Sequence, residues 1–136
     1  AGGGSLTDPR LFALSMVFFL WQVPHFWLLL LGSGDDYERA GLPSLARMLR
    51  RPRLARIAVL WTSSTAAAVL LLPLYGIVRS TIAGILLAAA SLVLTASAPR
   101  LVRRPDAASF NFTVINAFMA AVMLLLSADA LIARTW

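Results

Sequence analysis

The chain alternates four apolar stretches, at residues 11–31, 57–78, 81–98 and about 110–133, with shorter polar connections. At a rise of about 1.5 Å per residue, each has the length a helix needs to cross the roughly 30 Å hydrocarbon layer of a bilayer. Asp8-Pro9 precedes the first stretch and suits a helix entry with proline in the first turn. Pro73 and Gly76 close the second, and the short connection to the third predicts an antiparallel hairpin. Pro105, Asp106 and Ser109 precede the fourth and suit a helix start. The pattern predicts an all-α fold, a polytopic membrane bundle of four transmembrane helices.

Composition removes the soluble alternative. The residues are 60% hydrophobic and 13% charged, and the mean hydropathy is +0.80, outside the range of soluble domains. The chain has no cysteine, which excludes disulfides and thiolate metal sites. A net charge of +6 would suit nucleic acid, but all 12 basic residues are Arg and lie between apolar runs, so no nucleic-acid partner is expected. Alternating spans place residues 32–56 and 99–109 on one side, with Arg39, Arg47, Arg50, Arg51, Arg53, Arg56, Arg100, Arg103 and Arg104. The other side holds Arg10, Arg79 and Arg134. The positive-inside rule then predicts a cytoplasmic connection after the first span and outward termini. The opening AGGGSLTDPR lacks a basic n-region and a short apolar core, so no signal peptide is expected there, and it reads as a loop continuing something upstream.

Small residues crowd the second and third spans, from Ser63, Ser64, Thr65, Ala66, Ala67 and Ala68 to Gly84, Ala88, Ala89, Ala90 and Ser91. They are expected to let helix backbones approach closely, since apolar association gains little in lipid.

Candidate chemistry gathers in FLWQVPHFWLLLLGSGDDYERAGLP, residues 19–43. Phe18, Trp21, Gln22 and His25 fall at helical spacings and predict one polar, aromatic face. Two readings of Gln22 and His25 stand at this point, packing bonds to neighbouring helices or a functional pocket. Pro24 removes a backbone donor and predicts a kink near Leu20. Gly32 and Gly34 are expected to end the helix, delivering Asp35, Asp36, Glu38 and Arg39 to the membrane mouth. Carboxylates there suit Mg²⁺, a hard cation, and Arg39 suits a diphosphate; a solvated charged loop is the competing reading, and Tyr37 is open in the same way. In the last span Asn111 reads as a cap or interface residue, Asn116 lies deeper and needs a partner, and Asp129 is expected to reach water.

The pairing of FLWQVPHF with DYERAGLP resembles the heme O synthases of the membrane UbiA prenyltransferase superfamily. The matching positions are Phe19, Leu20, Trp21, Pro24, His25 and Phe26, then Asp36, Tyr37, Ala40, Gly41 and Pro43. The likeness is strong over residues 19–43 and mainly hydropathic beyond. It implies that residues 1–136 are the C-terminal part of one UbiA-type domain, their four spans being the last four of a nine-helix ring around a cavity open to the cytoplasm. The implied reaction joins a farnesyl group, from farnesyl diphosphate, to a vinyl group of heme B in a bacterial inner membrane. In that role Asp35 and Asp36 would hold Mg²⁺, and Asp36, Arg39 and Tyr37 would act at the diphosphate. His25, Trp21, Gln22, Phe26 and Asn116 would shape the substrate cavity.

The family's earlier NxxxDxxxD motif has no match in this sequence, so the resemblance also implies missing N-terminal helices and a fragment inactive alone. After Pro43 the chain reads SLARMLRRPRL where the family often continues MLPV. An aromatic or quinone-precursor acceptor, and a non-catalytic four-helix assembly module, are the alternative readings.

Overall fold

The computed structural model describes the backbone of residues 8–39, 50–104 and 107–135, and the side chains of residues 8–32, 50–104 and 107–133. Helix α1 (Pro9–Arg39) begins where the Asp8 carboxylate accepts the Arg10 N–H at 2.9 Å and the Asp8 carbonyl accepts from Phe12 at 3.1 Å. Asp8 is thus the N-cap and Pro9 the first helical residue, where a missing N–H costs nothing. Helix α2 spans Arg51–Leu71 and tightens into a 3₁₀ turn over Leu72–Tyr75 as Pro73 removes a donor. Gly76 closes it at φ 63°, a left-handed conformation that glycine adopts without a Cβ clash.

Helix α3 (Thr81–Ser97) starts on Ser80, whose hydroxyl accepts the Ala83 N–H at 3.1 Å. The short α4 (Arg100–Arg103) leads to α5 (Ala108–Thr135). Four of these segments have the length and composition to cross a membrane: Pro9–Gly32, Arg51–Tyr75, Thr81–Arg103 and Ala108–Ala133. The all-helical, four-span architecture read from the pattern is therefore observed.

Helix α1 packs against α2 and α5, and α3 packs against the same two, which closes a four-helix ring. Its up-and-down sense is visible at the ends. A Cβ on Gly76 would lie 3.5 Å from the Arg10 guanidinium, which sets the start of α1 beside the end of α2. Asp129, near the end of α5, accepts the N–H groups of Arg79 at 2.7 Å and Ser80 at 3.0 Å, at the start of α3. Each helix contributes one seam at spacings of three and four: Ala13, Val17, Pro24, Leu28 and Leu31 on α1, and Leu54, Ala58, Thr62, Thr65 and Val69 on α2. Ala83, Leu87, Ser91 and Leu94 form the seam of α3, and Ala108, Asn111, Ile115, Phe118 and Val122 that of α5. Only 28% to 33% of each span is buried, so most apolar positions face lipid or protein outside this chain.

Two expectations change. Glycines 32 and 34 do not end the first helix, which runs on to Arg39. Glycine lowers helix propensity, but it terminates a helix by taking up positive φ, and among the described residues only Gly76 does so. The helical run continues through Pro24, the residue at which a kink is expected. Asp129 is buried rather than solvated, because two backbone donors at the α3 entrance replace water. Of the small residues, Thr65, Ala66 and Ser91 are buried, whereas Ala67 and Ala89 point outward.

Overpacking the α2 seam by Ala58→Leu is expected to cost about 1–3 kcal/mol, read as a lower unfolding midpoint in mild detergent. Asp129→Ala is expected to speed hydrogen exchange at the Arg79 and Ser80 amides while the α1–α2 contact keeps its protection, as exchange mass spectrometry would report.

Candidate functional site

Beside the α1 seam, Trp21 packs against the core and His25, one turn on, reaches α5. Asn116 stands opposite, one turn after Phe112 on α5. Its amide Nδ2–H donates to the Phe112 carbonyl at 2.9 Å, and its Oδ1 meets His25 Nδ1 at 2.9 Å. The imidazole is flanked by two rings, Trp21 with centroids 5.1 Å apart and tilted 53°, and Phe112 at 4.8 Å and 45°. Counting about 1.5 Å per residue from Gly32 and from Ala108, the pair lies roughly 10–12 Å below one membrane face. There, polar groups need protein partners, and the bond between residues 91 positions apart supplies one.

Among the described residues, two buried side-chain polar atoms have no hydrogen-bond partner, Trp21 Nε1 and Ser91 Oγ. An unsatisfied buried donor costs about 1–3 kcal/mol, and such atoms in native folds call for an explanation. The Trp21 ring neighbours the one histidine in the sequence.

The face predicted for Phe18, Trp21, Gln22 and His25 is divided. His25 reaches α5 and Trp21 is half-buried beside it, whereas Phe18 and Gln22 are exposed. Gln22 and Phe26 line a separate open groove of about 330 Å³ with Phe19, Val23 and Trp27. The reason is rotational: residues 22 and 26 lie about 100° round the helix from 21 and 25, beyond the reach of the α5 contact.

Asp35, Asp36, Tyr37 and Arg39 belong to the last turns of the α1 backbone. Their side chains, and residues 40–49 with Gly41 and Pro43, lie outside the described residues. Among the described residues no group of three or more His, Cys, Asp or Glu is placed to hold a metal ion.

No family model matches the chain, and no solved structure matches it. Curated relatives do. The protoheme IX farnesyltransferase of Geobacter sulfurreducens is 39% identical over 126 residues, 90% of this chain and 44% of that protein. That of Oleidesulfovibrio alaskensis is 36% identical over 132 residues, 97% of this chain and 45% of that protein. The chain is homologous to one part of the protoheme IX farnesyltransferases. It spans a little under half the length of these relatives. A shorter match, to the protoheme IX farnesyltransferase of Aquifex aeolicus, reaches 51% identity over 45 residues, or 33% of this chain. Homology to the protoheme IX farnesyltransferases thus extends across most of the sequence, beyond the 19–43 stretch that carried the first resemblance.

Sequence reasoning overlooked Phe112, although its place four residues before Asn116 put both on one face of the last span. It also left Asn111 open between two roles; the amide donates to the Ala107 carbonyl at 2.9 Å, within its own helix start.

Coupling between His25 and Asn116 is expected at roughly 0.5–1.5 kcal/mol in a double-mutant cycle of His25→Leu and Asn116→Leu, read from unfolding of the protein in bicelles.

Proposed function

We propose that this chain is part of a membrane prenyltransferase that joins the farnesyl group of farnesyl diphosphate to a vinyl group of heme B, giving heme O. The observation that carries the reading is the Trp21–His25–Asn116–Phe112 cluster, a polar and aromatic wall inside a span, in a chain homologous to proteins named for that transfer. The exposed apolar faces of the four helices support a larger assembly, in which the remaining helices of the fold, and the NxxxDxxxD motif, pack against them.

In the proposed orientation the α1 C-terminus and the Arg-rich ends of α2 and α4 face the cytoplasm of a bacterial cell. Asp35, Asp36 and Glu38 sit where the α1 macrodipole is negative, a placement that costs about 0.3–1 kcal/mol per carboxylate unless a cation answers it. Their hard oxygen donors fit Mg²⁺, with Asp35 and Asp36 as its ligands, and the ion when bound would neutralise diphosphate charge. Arg39 and Tyr37 bind the phosphate oxygens by charge and hydrogen bond. The C–O bond of the allylic diphosphate breaks, and diphosphate leaves with the electron pair. The vinyl carbon attacks the farnesyl cation at C1, forming the new C–C bond. Water adds to the resulting porphyrin-side cation and loses a proton, which completes the hydroxyethylfarnesyl group. The faces of Trp21 and Phe112 favour cationic charge by their quadrupoles and keep water from the allylic cation. Gln22 and Phe26, on the neighbouring groove, are assigned to the hydrocarbon wall.

Membranes containing the full-length protein are expected to convert heme B and farnesyl diphosphate into heme O, detected by chromatography of extracted hemes. Asp36→Asn is expected to lower that rate by about 100-fold. An unchanged rate would remove Asp36 from the site, and wild-type membranes that consume farnesyl diphosphate only with a quinone precursor would move the acceptor.

A further inference from the structure

The polarity of the His25–Asn116 bond is fixed by what surrounds it. A carbonyl oxygen only accepts, so the atom of Asn116 that meets the Phe112 carbonyl at 2.9 Å is the amide nitrogen. Oδ1 is then the atom 2.9 Å from His25 Nδ1, and it too only accepts. The proton of the neutral imidazole therefore sits on Nδ1. Exchanging the amide atoms would press two carbonyl oxygens together at Phe112. A proton on Nδ1 leaves Nε2 with a free electron pair, and among the described residues nothing bonds to Nε2.

We infer that Asn116 is a positioning residue that fixes His25 as the Nδ1–H tautomer and so presents an unprotonated Nε2 to the iron of the heme substrate. The iron contact rests on the heme acceptor proposed above; the tautomer does not. An electron pair at Nε2 repels the oxygens of a diphosphate or of a propionate carboxylate, and a farnesyl chain offers it nothing to bind. A porphyrin-held iron accepts it. Two aromatic rings neighbour the imidazole, so a flat macrocycle and its metal meet an aromatic wall. Where histidine ligates a metal, the partner of its other ring nitrogen sets the tautomer and ring orientation, the role Asn116 takes here.

The test begins without any substrate. Full-length protein labelled with ¹⁵N-histidine is placed in lipid nanodiscs, and the signals lost in His25→Gln assign the ring. In its neutral form His25 is expected to show a protonated Nδ1 and a bare Nε2. Asn116→Leu should shift it toward the Nε2–H form that histidine favours in water, and Asn116→Asp, which keeps an acceptor, should restore Nδ1–H. A wild-type ring protonated at Nε2, or a spectrum indifferent to Asn116→Leu, overturns the inference whatever the activity.

Ferric heme B and metal-free protoporphyrin IX are then titrated in parallel. His25→Gln and Asn116→Leu should each weaken heme binding by about tenfold or more and leave the metal-free ring unaffected. Equal losses for the two porphyrins overturn the iron contact. Heme that binds wild type and Asn116→Leu equally, while heme O is still formed, overturns it too and leaves the acceptor reading standing.

Discussion

Polar groups inside hydrocarbon have no water to fall back on, so each must find its partner in the protein, and this constraint organises the bundle from its ends to its middle. Hydroxyls and amides in the spans turn back on their own helices: Ser64 to Leu60, Thr65 to Trp61, Thr95 to Ser91 and Asn111 to Ala107, all at 2.9 to 3.0 Å. Asp129 and Asn116 instead reach across. Asp129 on α5 accepts the free amides at the start of α3, and Asn116 accepts from His25 on α1. These cross-helix bonds join α5 to both of its neighbours, at different depths.

Apolar packing gives the ring its shape but little directional information, because lipid tails are as apolar as leucine. The α2 seam is lined by Ala55, Ala58, Thr62, Thr65 and Ala66, so close backbone approach and dispersion contacts hold α1 against it. The rotation of α1 about its own axis is then specified where polarity enters. Turning it by one residue would withdraw His25 from Asn116 and bring Gln22 or Phe26 toward α5. The His25 bond thus serves packing as well as the proposed chemistry, and the two readings of that residue left open by the sequence are compatible.

Among the described residues the buried Trp21 Nε1 and Ser91 Oγ depart from the rule that each polar group finds its partner, and Trp21 does so beside the one imidazole of the sequence. An unpartnered donor in a membrane interior persists where the surrounding structure holds it or where a ligand answers it. The position of Trp21 next to His25 is consistent with a wall that completes its contacts when substrate and the rest of the fold are in place.

The number of spans, their approximate limits and the helix entry at Asp8-Pro9 follow from local chemistry: apolar run length, proline's missing donor and the capping of free amides. So does the motif that led to the protoheme IX farnesyltransferases, since it lies within one continuous stretch. Tertiary structure alone decided which members of that stretch act together. Spacing grouped Gln22 with His25, but the contact with α5 selected His25, with Trp21 beside it, and brought in Phe112, whose partner lies 87 positions away (112 − 25). Asp129 shows the same limit, because the donors it meets are 49 and 50 positions earlier. A single helix fixes which residues share a face; which face meets a neighbour depends on rotation and depth within the ring, and those are set by all four helices together.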